Sequence, residues 1–585
     1  MKKQLILCVL LTLSSLTFAQ TGGSWFRREA GQAHEAFLAD NNLVGGADIA
    51  GEPEPTYIMN KLLLGLYSVY KAERGNNIAG DIFDVRIIGT QPSAVNPLIY
   101  ADLPDMSMTR VGNAYYMSCT TNHMNPGVPV LKSEDLVNWK IVSHCYDRLA
   151  EVDEMNLVSD KNAYGMGTWA SCIRHHNGKF YVSTFSGTTN KTYIFSTDDP
   201  ERGNWKRIEF SPSYHDHSLF FEDDGRVYLI WGGGKLHIAE MKSDLTGLKP
   251  DTERILIENA SAPSGAVGLP AEGSQLFKVN GMYYLFNITW PQQSMRTVVV
   301  HRASSLEGPW EGRVALRDRG IAQGGLVDTP DGRWYAYLFR DFGAVGRIPY
   351  LSPVRWEDGW PIIGADGKVP DVIPELPVSK GLIGSLVCSD DFTRRRGDAD
   401  LPNCWQWNHN PIDKFWSVRE RKGWFRLKTN YVENNFLRAR NTLTQRTIGP
   451  TSTATVRMDV SRLKDGDFAG IALLQQRYGQ IGVKMERDER RIVMVSAESE
   501  NPVTMATIPL EGNEVYLRAK CDFTDLRDVA DFYYSLDGKQ WQKLGQQLKM
   551  TYTVPQFIGY RFALFNYATK EAGGYADFDY FHIEE

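Results

Sequence analysis

A chain of 585 residues is too long for one compact hydrophobic core, so two or three domains are expected. With 42% hydrophobic and 23% charged residues it reads as an ordinary folded protein, which excludes extended disorder. A formal net charge of −6 leaves no basic footprint, arguing against nucleic acid or an anionic membrane surface as partner.

The chain opens Met1-Lys2-Lys3, continues with an apolar run over residues 5–16, and reaches Thr17-Phe18-Ala19 before Gln20, the three zones of a secretory signal peptide. Residues 1–19 are therefore read as that signal, and the protein as exported to the periplasm or the extracellular space. No other stretch is long and apolar enough to span a bilayer. Residues 20–93 form an N-terminal extension of unassigned role, in which residues 57–71 carry apolar side chains at helical spacing and no proline. The remaining cysteines are few and scattered, without metal-ligand spacing; one bridge, Cys388 with Cys404, is expected.

Over residues 94–370 a repeat takes charge. Asn or Asp, then Gly, a spacer, a bulky residue and Tyr recur, with the tyrosines at Tyr116, Tyr181, Tyr228, Tyr284 and Tyr335, spaced 65, 47, 56 and 51 residues apart. The first copy departs slightly, with Gly112 ahead of Asn113. Such spacing is that of propeller blades. Asn-Gly and Asp-Gly between alternating apolar residues are hairpin signals, because type I′ turns need positive φ at both central positions. Asn138-Trp139, Asn204-Trp205 and Pro309-Trp310 follow as markers of outer strands. The fold read from this is all-β, a five-bladed β-propeller.

Residues 371–385, rich in Pro and Gly, read as a linker. From 386 to 585, short alternating runs such as FRLKT, TATVRMDV, VYLRAKCDF and YADFDYFHI recur at about ten-residue spacing and predict a β-sandwich.

Three blades carry an acid at a similar offset. Asp105 precedes Gly112 by seven residues, Asp216 precedes Gly225 by nine, and Glu272 precedes Gly281 by nine. Equivalent inner-strand positions of a propeller converge on one end of its channel, so the three carboxylates should share a pocket. Crowded acids repel, which raises at least one pKa and leaves another group ionised. That split suits glycosidic hydrolysis: one protonated acid for the leaving oxygen, one ionised base for water.

The residues then resemble a family. The run NPLIYADLPDMSMTRVGNAYYM resembles the opening blade of glycoside hydrolase family 43, HDHSLFFEDDGRVYLIWG its Asp-Pro-Ser-Leu-Phe-Phe segment, and AEGSQLFKVNGMYYLF its Glu-Gly-Pro/Ser segment. The resemblance implies Asp105 as general base, Asp216 as the residue that modulates the acid's pKa, and Glu272 as general acid. GTWASCIRHHNGKFYV and the fifth-blade run through GAVGRIPYLSP extend the likeness, and SDDFTRRR through WQWNHNP resembles the family's C-terminal concanavalin-like sandwich. Met106, Ser171-Cys172 and His217 depart from its usual prolines.

Further candidates for sugar contact are His123, Trp169, Trp290, Gln323 and Arg347, the last matching a family arginine that reaches substrate hydroxyls. Trp405, Trp407 and His409 in the sandwich are read chiefly as interdomain packing. Ala322 stands where many members have a histidine that helps hold an ion, which argues against a channel calcium; no acid-rich loop compensates, no metal site is assigned and no cofactor is required. The implied activity is exo-acting, inverting release of terminal α-L-arabinofuranosyl residues from plant oligo- or polysaccharides, with β-D-xylosidase the close alternative. A retaining fructosidase is disfavoured because its Trp-Met-Asn-Asp-Pro motif is missing. A non-catalytic glycan-binding propeller is the reading from another class.

Overall fold

A computed structural model describes residues 93–499 and 501–585. The expected signal peptide and the helical reading of residues 57–71 lie outside them.

Five four-stranded antiparallel sheets follow one another in chain order, their strands taken consecutively from inner to outer. The first blade spans Ser107–Val111, Ala114–Ser118, Gly127–Ser133 and Lys140–Tyr146, and the second runs from Cys172–His176 to Lys206–Phe210. The third runs from Ser218–Phe221 to Arg254–Ile257, the fourth from Val267–Val279 to Glu311–Leu316, and the fifth from Ala322–Asp328 to Trp360–Ile363. Trp139, Trp205 and Trp310 each immediately precede an outer strand.

Only part of the hairpin chemistry follows the type I′ expectation. Asn177-Gly178 and Asn280-Gly281 have positive φ at both residues, whereas at Asp224-Gly225 and Asp331-Gly332 only the glycine does. In the third blade the loop is longer and closed by a pair of backbone bonds, Glu222 N–H to Arg226 O and Gly225 N–H to Glu222 O, so a single left-handed residue completes the turn.

Blades pack through apolar rows at period two. Ile173, Val182 and Phe195 lie opposite one another across the second blade and bury against Tyr116, Val130 and Cys145 of the first. Each such side chain contributes on the order of 1.5–3 kcal/mol on burial. Because every blade is a contiguous stretch, the ring is closed by side chains: Arg110 of the first blade donates to both carboxylate oxygens of Asp328 in the fifth, at 3.0 and 2.5 Å. The stretch read as a linker carries a strand of its own, Val372–Pro377, which pairs with Ser93–Val95. Its prolines suit a two-stranded edge, and Asn96 ties it down by donating to Pro370 O at 2.8 Å.

The sandwich has two eight-stranded sheets. One runs from Val503–Pro509 through Glu489–Ser496, Gly479–Glu486, Asp467–Leu474, Arg561–Ala568 and Leu443–Arg446 to Gln406–Asn408. Its last strand is not from the sandwich: Met124–Asn125, in the loop of the first blade, pairs with Trp407 and Asn408. The domains thus share a sheet. Cys388 and Cys404 are joined in a disulfide, as expected. Asp102 adds a second clasp, its carboxylate accepting the backbone N–H of Arg347 at 2.7 Å and of Gly559, from the sandwich, at 3.0 Å.

Candidate active site

Asp105 and Asp216 each stand two residues ahead of an inner strand, and both are left-handed, with φ of 50° and 46°. Gln323 at the entry to the fifth blade has φ 49°, and Gly273, next to Glu272, has φ 65°. Outside glycine this conformation costs on the order of 1–3 kcal/mol and concentrates at functional sites. It bends each blade entrance sharply, so that a side chain turns from the sheet face toward the channel mouth. Glu272 is re-aimed differently: the pairing of its strand slips between Leu269 and Glu272 and again between Glu272 and Gln275, placing an irregularity on either side of it. A β-carbon at 273 would come within 2.8 Å of the Gln323 side chain and force it to shift, so the left-handed glycine lets the two lie close.

Asp105 is buried and locked. Thr120 Oγ1 donates to its Oδ2 at 2.6 Å, and Arg347 Nη1 donates to Oδ1 and Oδ2 at 2.8 and 2.9 Å. Arg347 is only 3% exposed. Burial works most strongly against its charge, but Asp105 opposite, together with Tyr552, Asp102 and Asp341, raises the guanidinium pKa. Asp216 is pushed up to about 7, first by burial and then by the nearby charges of Glu272 and Asp105, with His215 and Arg347 opposing. Crowding therefore acts on Asp216 itself.

Two histidines flank Asp216 with opposite fates. His217 is buried and lowered to about 4 by that burial, its Nδ1 bonded to Tyr214 O at 2.9 Å. His215 instead places Nε2 2.9 Å from Glu272 Oε2 and 3.9 Å from Asp216 Oδ2. One polar atom each of His215, Asp216 and Glu272 lies within 4.8 Å of the others. Sequence reasoning missed His215, although its position beside Asp216 at a bent blade entrance was the available signal.

Of the other candidates, Gln323 packs at Gly273 beside Glu272, and Arg347 grips Asp105. Trp169 packs at a tilt, ring centres 4.8 Å apart, on Phe557, a sandwich residue whose ring also lies 4.8 Å from the Arg347 guanidinium. Phe557 was not legible in the sequence, yet it brings the sandwich against Trp169 and against the arginine that holds Asp105. Trp290, 44% exposed, pairs across from Leu269 on the Glu272 strand and donates its indole N–H to Ser294 O at 2.9 Å. His123 does not line this pocket. It is fully buried in the seam between the domains, its Nε2 3.0 Å from Asn408 Oδ1 and its ring 4.6 Å from those of Tyr164 and His409. Its loop is drawn there because the adjacent Met124–Asn125 joins the sandwich sheet, and burial lowers it to about 3. His409 Nε2 accepts the Ala163 N–H at 3.0 Å, so it too serves packing.

A fixed cation ties neighbouring blades together. Arg174 of the second blade bonds Ser107 of the first at 3.2 Å and Gln275 of the fourth at 2.8 Å. The Arg174 guanidinium thus spans three blades, and Ala322, whose side chain is a methyl group, offers no ligand atom.

Comparison with known proteins agrees with this geometry. Residues 94–361 match the model of glycosyl hydrolases family 43, and residues 389–584 that of the β-xylosidase C-terminal concanavalin A-like domain. A solved bifunctional GH43-CE protein of Bacteroides eggerthii is 61% identical, with a TM-score of 0.84 over 84% of this chain; the chain spans 64% of that protein's length. A β-xylosidase of Formosa agariphila is 28% identical over 83% of this chain and 89% of its own. A non-reducing-end α-L-arabinofuranosidase of Bacteroides ovatus is 27% identical over 70% of this chain and 79% of its own. Propeller and sandwich agree in order, and the chain belongs to glycoside hydrolase family 43.

Proposed function

We propose that this chain is an exported, exo-acting and inverting glycoside hydrolase that removes terminal pentosyl residues, β-D-xylosyl or α-L-arabinofuranosyl, from plant-derived oligo- or polysaccharides. The observation that carries the reading is the convergence of Asp105, Asp216 and Glu272 at the propeller mouth, with Arg347 clamped on Asp105. In the mechanism, Glu272 protonates the glycosidic oxygen while Asp105 takes a proton from water as it attacks the anomeric carbon from the opposite face. Arg347 and Thr120 hold Asp105 in one orientation for that step. Asp216, raised to about 7 and so about half protonated near neutrality, limits the negative charge beside Glu272.

Phe557 of the sandwich lies against Trp169 and the Arg347 guanidinium, and this contact on the sandwich side supports entry of a chain end rather than a cleft threaded by a polymer. The sequence reading leans to arabinofuranosides. The β-xylosidase name of the Formosa relative supports xylosides at least as well. A panel of 4-nitrophenyl pentosides and the corresponding oligosaccharides tests the reading, with turnover of one or both pentosides expected from the wild type, and losses of about 10²-fold or more in Asp105→Asn on either kind of substrate and in Glu272→Gln on the oligosaccharides. A wild type that cleaves neither, nor the corresponding oligosaccharides, contradicts it and favours a binding propeller.

A further inference from the structure

The neighbours of Glu272 imply more than a three-acid site. His215 reaches it across two blades, Nε2 to Oε2 at 2.9 Å, and the side-chain exposures fall in a gradient: 54% for His215, 22% for Glu272 and 8% for Asp216. The imidazole is thus the link between solvent and a recessed acid. A contact of that length between a ring nitrogen and a carboxylate oxygen needs one proton between them.

We propose that His215 is a positioning and proton-supplying partner of Glu272, holding the acid toward the scissile bond and reloading it from solvent after each turnover. This rests on the glycosidase reading. His215 faces Glu272 of the fourth blade, Asp216 in its own turn, and Asp105 of the first blade, with the Phe185 ring of the second blade 5.5 Å away. His217, the other titratable neighbour, is neutral by burial, and Arg347 acts from behind the carboxylates. The bond to Glu272 and the neighbouring Asp105 favour its protonated form. The hydrogen bond to Glu272 is the largest cause, burial opposes, and the balance raises His215 to about 9.

The proton balance closes. As the C–O bond breaks, its electron pair goes to the leaving oxygen, which takes the Glu272 proton; the imidazolium proton moves from Nε2 to Oε2. Asp105 takes the proton lost by water as the new C–O bond forms. Solvent then reprotonates His215 and Asp105 releases its proton, so hydrolysis consumes none overall.

His215→Gln and His215→Phe in the full chain test this with two substrates of different acid demand. A 4-nitrophenyl pentoside, whose leaving group needs little protonation, should lose no more than about 3-fold, whereas a disaccharide should lose about 10²-fold, with the alkaline limb of its pH profile moved to lower pH. Equal losses on both substrates, or none, would overturn the proposal. Independently of turnover, NMR titration of 13C-labelled histidine should show His215 titrating near pH 9 in the wild type and falling toward about 6.5 in Glu272→Gln. Titration near 6.5 in both proteins refutes the shared proton. A wild type inactive on both substrates overturns the glycosidase reading and the reloading role with it, while the titration still decides whether the pair exists.

Discussion

Replacing Asp216 with asparagine should stabilise the folded chain while removing most of its turnover. Its carboxyl is raised from 3.8 to about 7, chiefly by burial. Each unit corresponds to about 1.4 kcal/mol, so the ionised form is disfavoured in the fold by roughly 4 kcal/mol, reduced by the coupling to His215 to about 2–4. Because the folded pKa lies above the unfolded one, the stability tied to the protonated form is complete below about pH 4 and is lost as pH rises through about 7. Asparagine keeps the shape, tolerates the left-handed φ of 46° and does not titrate. The stability difference between Asp216→Asn and wild type should therefore be small at pH 4 and grow to about 2–4 kcal/mol in favour of the variant by pH 8. Denaturant unfolding of both proteins across that range measures it, with turnover of the variant expected to fall about 10²-fold. A difference that does not change with pH would refute the reasoning, because it would mean that burial does not hold this proton.

Arg347→Met should lower kcat/KM by at least about 10²-fold, since it leaves Asp105 buried without its cation, and Arg347→Lys should recover part of the loss; steady-state kinetics decide. Phe557→Ala should raise KM about tenfold with little change in kcat, as loss of a wall worth about 1.4 kcal/mol, and a change confined to kcat would contradict its place at the pocket edge. Exhaustive chelation should leave activity unchanged because Arg174 supplies the channel's charge; a loss restored by calcium would count against that account.

The features legible in the sequence are those set by local chemistry. Asn-Gly and Asp-Gly turns announced the blades, and alternating runs announced the sandwich strands, because a half-buried strand writes period two into its own residues. The offsets of Asp105, Asp216 and Glu272 were readable for the same reason, each being counted from a turn. What could not be read depends on chain segments far apart. Arg347 Nη2 meets Phe557 O across 210 residues, and no periodicity says which sandwich loop faces the propeller mouth. His123 looked like a pocket residue until its neighbours Met124 and Asn125 proved to be a strand of the other domain's sheet. His215 escaped notice because in a regular strand neighbours point to opposite faces, whereas the left-handed bend at Asp216 lets both approach Glu272. Val372–Pro377 read as linker because its prolines mask a pairing with Ser93–Val95 that only the folded ring brings about.

The central claim, that Glu272 and Asp105 act on opposite faces of the sugar in a single displacement, is tested most directly by proton NMR of the first anomer released from an unlabelled pentoside. The account predicts initial appearance of the inverted anomer, followed by mutarotation. Initial release of the retained anomer would contradict it.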